Sequence, residues 1–96
     1  MTTLVIFEGK TKEDSIAVLK DFLRKHIPDT RSYMGCQNIE AYLNKGEKSL
    51  VMIEHWNSEE CYENYLDWRE RTGVLSELDE LLDTPPIIRF FDILDT

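Results

Sequence analysis

Basic residues are scarce in this chain. Eleven Lys and Arg stand against 19 Asp and Glu over 96 residues, a formal net charge of −8. Nucleic-acid binders cluster Lys and Arg to displace counterions from phosphates, so the deficit argues against a nucleic-acid partner. It argues equally against docking on an anionic membrane surface. Cysteine is scarce too: Cys36 and Cys61 are the only two, with no C-x-x-C spacing. A disulfide framework is not expected, and two reduced thiols in an intracellular protein is the reading. The two histidines, His26 and His55, fall in no pattern of metal ligands, so no metal is expected. Four glycines and three prolines leave no Gly-rich phosphate loop and no linker, and nothing indicates a flavin or nicotinamide cofactor. No apolar run approaches the roughly 18 residues of a membrane span. The apolar start of the chain reaches Glu8 too soon for a signal peptide. A cytoplasmic location is the expectation.

What remains is ordinary globular composition, 42% hydrophobic and 31% charged, in a length that suits one domain over 1–96. A chain this short buries only roughly 60–65% of its unfolded surface, so one modest core is expected.

Thr3–Glu8 (TLVIFE) is rich in β-branched and aromatic residues and reads as a strand. Thr11, with Asp14 three residues on, reads as the start of a helix over residues 12–26. Ile16, Leu19, Leu23 and Ile27 give that helix an apolar face, and Pro28 is expected to end it. PDTRSYMG reads as a loop. Cys36–Leu43 is a second strand, followed by a hairpin turn at residues 44–47 in which Gly46 is free to take positive φ. Ser49–Trp56 (SLVMIEHW) is the strongest strand signal in the chain. Ser58 is a good N-cap, with Glu59 and Glu60 in the first turn where the helix dipole favours acids. Tyr62, Tyr65, Leu66 and Arg69 share one face of this helix. Thr72-Gly73 interrupts it, a second short amphipathic stretch follows, and Thr84-Pro85-Pro86 precedes a last strand, IIRFFDIL.

The order β-α-β-β-α-β predicts an α+β, ferredoxin-like fold with a four-stranded antiparallel sheet and helices on one face. Strands three and four carry apolar residues at both parities, so the second sheet face needs a cover. A homodimer, sheet against sheet, is the expectation.

The Gly35-Cys36 entry to strand two, the stretch VMIEHWNSEECYENYL at 51–66 and the closing PPIIRFFDIL together resemble the antibiotic biosynthesis monooxygenase domain family, the small dimeric α/β-barrel proteins. The resemblance spans essentially the whole chain and implies a pocket between sheet and helices for a small aromatic or apolar molecule. The family includes cofactor-free oxygenases that convert phenols or quinols to quinones, haem-degrading members, and members handling small signalling molecules. In the polyketide-tailoring oxygenases the site holds an Asn and a Trp four apart on strand three, and a Tyr six beyond. Trp56 and Tyr62 match the last two, but Met52 occupies the Asn position. The haem-degrading pattern is not met: strand one has no Asn, the helix position is Tyr65, and the His position falls near Leu75.

Alternation along strand three sets Met52, Glu54 and Trp56 on one face and Val51, Ile53 and His55 on the other. The first set is expected to face the cleft and His55 the dimer partner. Trp56, Tyr62 and Glu54 are the candidate catalytic residues: two pocket walls with hydrogen-bond donors, and a carboxylate whose pKa a partly dry cleft would raise. Met52, Tyr65 and Phe22 are the candidate substrate-binding residues. The competing reading makes Trp56 and the tyrosines core residues and pairs Glu54 with Arg69 or Arg89. His26 is expected to sit blandly at the end of the first helix. The function predicted is a cofactor-independent monooxygenase acting on a small phenol or quinol; the alternative is a non-catalytic dimeric domain that binds a small apolar ligand. A proton-transfer isomerase would need Glu54 or His55 in the cleft.

Overall fold

A computed structural model describes residues 2–96. The elements are β1 (Thr3–Lys10), a 3-10 turn (Glu13–Ser15), α1 (Ile16–Ser32), β2 (Cys36–Asn44), β3 (Ser49–Trp56), α2 (Glu59–Arg71), α3 (Val74–Asp79) and β4 (Ile87–Asp92). The strands form one antiparallel sheet in the order β2-β3-β1-β4. Because β3 lies between β1 and β2, these two run the same way, and α1 is the crossover of a split βαβ unit. This is the ferredoxin-like α+β fold that the element order predicts.

The strict period-2 burial of β1 and β3 shows which face the helices cover. Val5, Phe7, Leu50, Met52, Glu54 and Trp56 point under them, joined by Ile39 from β2. By register the other face carries Leu4, Ile6, Val51, Ile53 and His55, with Tyr42 and Phe91 on the outer strands. This open face is apolar along its centre.

Several local expectations are corrected. Pro28 does not end α1, which continues to Ser32 through the segment expected to be a loop. A proline inside a helix costs a backbone hydrogen bond and crowds the preceding turn, about 3 kcal/mol. Tertiary contacts of the last turn offset that: Thr30 is buried against α2, its hydroxyl 2.6 Å from Tyr65 Oη and accepting from Arg69 Nη2 at 2.9 Å. Thr11 does not cap the helix. It is buried in a bridge to Leu82, its backbone N–H donates to the Lys48 carbonyl, and no side-chain cap closes the 3-10 turn. In the β2–β3 hairpin Lys48, not Gly46, takes positive φ (55°). β4 stops at Asp92, leaving Ile93 and Leu94 exposed beyond it.

Two glycines are required by geometry. Gly35 has φ +94°, and a Cβ there would lie 2.7 Å from Cys61 Cβ, so α2 can pack this close to the β2 entry only over a glycine. Gly73 (φ +82°) ends α2 and opens α3, the break expected at Thr72-Gly73.

A candidate active site under the second helix

Ser58 begins the site by fixing α2. Its Oγ accepts from the Cys61 N–H at 3.1 Å, as an N-cap should, and this starts the helix directly after Trp56 ends β3. The helical period then turns Tyr62, Tyr65, Leu66 and Arg69 toward the sheet. α1 faces them with Phe22, His26 and Thr30, which sit four residues apart along one stripe. Between these helices, α3 and the sheet lies a cavity of about 40 Å3. Phe7, Met52, Leu75 and Leu78 close its apolar side, and its polar groups come from Glu54, Tyr62, Tyr65, Thr30, His26 and Arg69.

Glu54 is the acid of the site. It is 2% exposed, lies between Val5 and Ile39 on the neighbouring strands, and accepts one hydrogen bond, from Trp56 Nε1 to Oε1 at 3.0 Å. Burial raises its pKa to about 7, an effect the Trp56 hydrogen bond only partly opposes. Pairing with arginine, the alternative expected from sequence, does not occur. Arg89 reaches Glu8 on the opposite face at 3.5 Å, and Arg69 makes its bonds elsewhere.

Tyr62 is 1% exposed and packs edge-on against Trp56 (5.5 Å between centroids) and Phe90 (5.7 Å). Burial pushes its phenol well up, with Glu54 and Tyr65 adding to the effect, so the hydroxyl stays protonated. Tyr65 belongs to a network at the far end of the cavity. Arg69 Nε donates to Tyr65 Oη at 2.9 Å, and Thr30 Oγ1 lies 2.6 Å from the same oxygen. Arg69 Nη2 donates to Thr30 Oγ1 at 2.9 Å and to the His26 carbonyl at 2.7 Å. Burial raises the Tyr65 pKa, and the bonds from Arg69 and Thr30 oppose the rise. The Arg69 guanidinium also stacks 4.5 Å from the centre of the Trp68 ring. The His26 ring packs against Phe22 at 4.5 Å, and burial followed by the nearby Arg69 charge lowers its pKa, which favours the neutral imidazole.

Of the candidate residues, the structure brings Glu54, Tyr62, Met52, Tyr65 and Phe22 around one cavity. Trp56 stands apart. It is fully buried and does not line the cavity, standing behind its wall: it packs on Tyr62 (5.5 Å) and Tyr65 (5.0 Å) and donates its hydrogen bond to Glu54. His55 is half-buried on the open face, as alternation predicts. The cysteines are unlinked, and burial raises the Cys36 thiol, which works against a thiolate.

Sequence reasoning missed His26, Thr30 and the role of Arg69. Taking Pro28 as a helix stop placed His26 at a helix end and Thr30 in a loop. The i, i+4, i+8 series Phe22, His26, Thr30 and the i, i+4 pair Tyr65, Arg69 were the available signals.

Comparison with known proteins accords with this architecture. The family model for the antibiotic biosynthesis monooxygenases matches residues 2–71. Among solved structures, Rv0793 from Mycobacterium tuberculosis superposes with a TM-score of 0.85 at 22% identity, covering 100% of this chain and 98% of that one. A conserved protein from Methanosarcina mazei Go1 gives 0.85 at 18% identity, covering 95% and 91%. A protein described as an antibiotic biosynthesis monooxygenase gives 0.85 at 15%, covering 96% and 98%. At these identities the likeness concerns the fold. No curated protein matches the sequence. The family match spans β1, α1, β2, β3 and α2, about three quarters of the chain, and the chain belongs to the antibiotic biosynthesis monooxygenase family.

Proposed function

We propose that the protein is a cofactor-independent monooxygenase that oxidises a small phenol or quinol in the cavity under α2, and that it works as a homodimer joined through the open sheet face. The observation that carries the reading is Glu54, a buried carboxyl lining the cavity with a pKa of about 7, together with the protonated Tyr62 in the same wall. Near neutral pH such a group can both take and return a proton.

In this reading the Glu54 carboxylate removes the proton of the substrate hydroxyl, the electron-rich ring carbon bonds to dioxygen, and the resulting peroxide anion takes that proton back from Glu54 to become a hydroperoxide. Glu54 then removes the C–H proton of the same ring carbon as the O–O bond breaks and a C=O bond forms. Glu54 passes this second proton to the departing hydroxide, so phenol plus dioxygen yields quinone plus water. The substrate supplies all four electrons. Tyr62 donates a hydrogen bond to the developing oxygen anions. Trp56 acts as a positioning residue that aims the Glu54 carboxylate. Met52, Tyr65 and Phe22 hold the ring.

A ring does not fit the cavity as it stands. About 40 Å3 holds a water or two, whereas roughly 150 Å3 accommodates benzene. Binding therefore spreads the wall, and α3 is the part suited to yield: six residues hung on Gly73, contributing Val74, Leu75 and Leu78.

Oxygen uptake with a panel of phenols and quinols tests the proposal. Uptake should match quinone formed, rise with pH through about 7, and fall at least a hundredfold in Glu54→Gln. Turnover that persists without oxygen sinks it. For the dimer, Ile53→Glu on the open face should halve the mass measured by light scattering; an unchanged mass counts against that interface.

The second reading, a ligand-binding domain without catalysis, is favoured by Met52, an apolar residue where the quinone-forming relatives carry Asn. If the panel of phenols and quinols binds without oxygen uptake, this reading stands; if Trp56→Phe and Tyr62→Phe lower the melting temperature and leave any measured activity unchanged, those two side chains are structural.

A further inference from the structure

Arg69 is 3% exposed and has no carboxylate within ion-pairing distance among the described residues. Its recorded acceptors are all neutral: the Tyr65 hydroxyl, the Thr30 hydroxyl and the His26 carbonyl. These use Nε and Nη2, while Nη1 makes no bond to the described residues and is not fully enclosed, so it stays open to a further acceptor. Burying a guanidinium without an anion is expensive, and hydrogen bonds to neutral oxygens recover only part of the lost hydration. Proteins that need only to tie two helices together can do so with neutral groups. A buried arginine held rigidly by three bonds, stacked on Trp68 and lining a cavity, is instead organised as an anion receptor.

The surroundings support this. His26, the nearest other titratable base, favours its neutral form, and its own acid partner Glu77 is an exposed residue 3.8 Å away on α3. Glu54 lines the same cavity but makes no ion pair with Arg69. The cavity thus has a fixed positive end at Arg69 and a proton-exchanging end at Glu54, with apolar walls between.

We propose that Arg69 anchors an anionic group of the ligand, and that the natural ligand is a hydroxylated aromatic carboxylate whose carboxylate meets Arg69 while its ring lies toward Glu54. This names the substrate class of the oxygenase reading and rests on it only in taking this cavity as the ligand site.

Binding measured under nitrogen, where no turnover occurs, separates the two. The intact protein is titrated with 4-hydroxybenzoate and with its neutral counterpart 4-hydroxybenzamide, following tryptophan fluorescence and melting temperature. The carboxylate should bind at least tenfold more tightly, and added salt should narrow the gap. Arg69→Lys should keep a reduced preference and Arg69→Met should abolish it. Should Arg69→Met fail to fold, the acid–amide pair in the wild-type protein and in Arg69→Lys still decides the matter. Equal affinity for acid and amide, or no binding of either, overturns the anchor, as does an undiminished preference in a folded Arg69→Met. Carboxylate binding without oxygen uptake in air would overturn the oxygenase reading alone; oxidation of neutral phenols with no carboxylate preference would overturn the anchor alone.

Discussion

Leu50 and Met52 at one end of β3 meet Phe7, Leu19, Leu78 and Leu82 in a cluster without a single buried charge. Two residues further along the same strand and face, Glu54 shares its surroundings with Trp56, Tyr62 and the cavity. Both ends are covered by helices and equally shielded from water, yet only the second keeps an ionisable group there. A carboxyl in such a place is tolerated by holding its proton, and a guanidinium by gathering neutral acceptors. Burial alone therefore does not separate core from candidate site. The presence of buried groups with unfinished electrostatics does.

The contrast can be broken at several points. Leu50→Ala, in the apolar end, should cost the most, about 2–5 kcal/mol from lost transfer energy and the cavity left behind. Urea melts should show this loss to be equal at pH 5 and pH 8. At the other end stability should depend on pH. The folded pKa of Glu54 is raised, to about 7 from an ordinary 4.5, so the folded state binds the proton more tightly than the unfolded chain. Its contribution is fully present below about pH 4.5 and is lost as pH rises toward 7, a difference on the order of 3 kcal/mol. Glu54→Gln should remove that slope, so that the variant gains on the wild type at pH 8 and not at pH 4; parallel melts of the two proteins at both values check it.

Leu75→Ala trims the α3 wall of the cavity. It should cost about 2 kcal/mol in stability while tightening binding of a ring-bearing ligand, read as a larger ligand-induced rise in melting temperature than the wild type shows. Ser58→Ala, which removes the cap that starts α2, should cost about 1 kcal/mol and weaken binding only modestly, both measurable by thermal melts with and without ligand.

Much of the fold was legible because it follows from local periodicity. β3 was bounded correctly at Ser49–Trp56, and its alternation sorted Glu54 from His55 without a structure. The Ser58 cap and the break at Gly73 were also readable, since each depends on one residue's own chemistry. The errors fell where distant contacts override a local rule. Pro28 usually stops a helix, but here the contacts of Thr30 and Arg69 across to α2 carry the helix through. His26 and Thr30, which sit at the polar end of the cavity, share a helical stripe only because α1 continues past Pro28.

By itself, then, the sequence determined the element order, the face that each strand residue takes and the aromatic side of α2, because these depend on periods of 2 and 3.6 residues and on caps. Tertiary structure alone decided that Glu54 would lack an arginine partner, that Trp56 would stand behind the cavity instead of in it, and that Arg69 would be buried among neutral oxygens. Those outcomes depend on which side chains meet across α1, α2 and the sheet, and for Glu54 burial, not sequence spacing, raises the pKa that decides its charge.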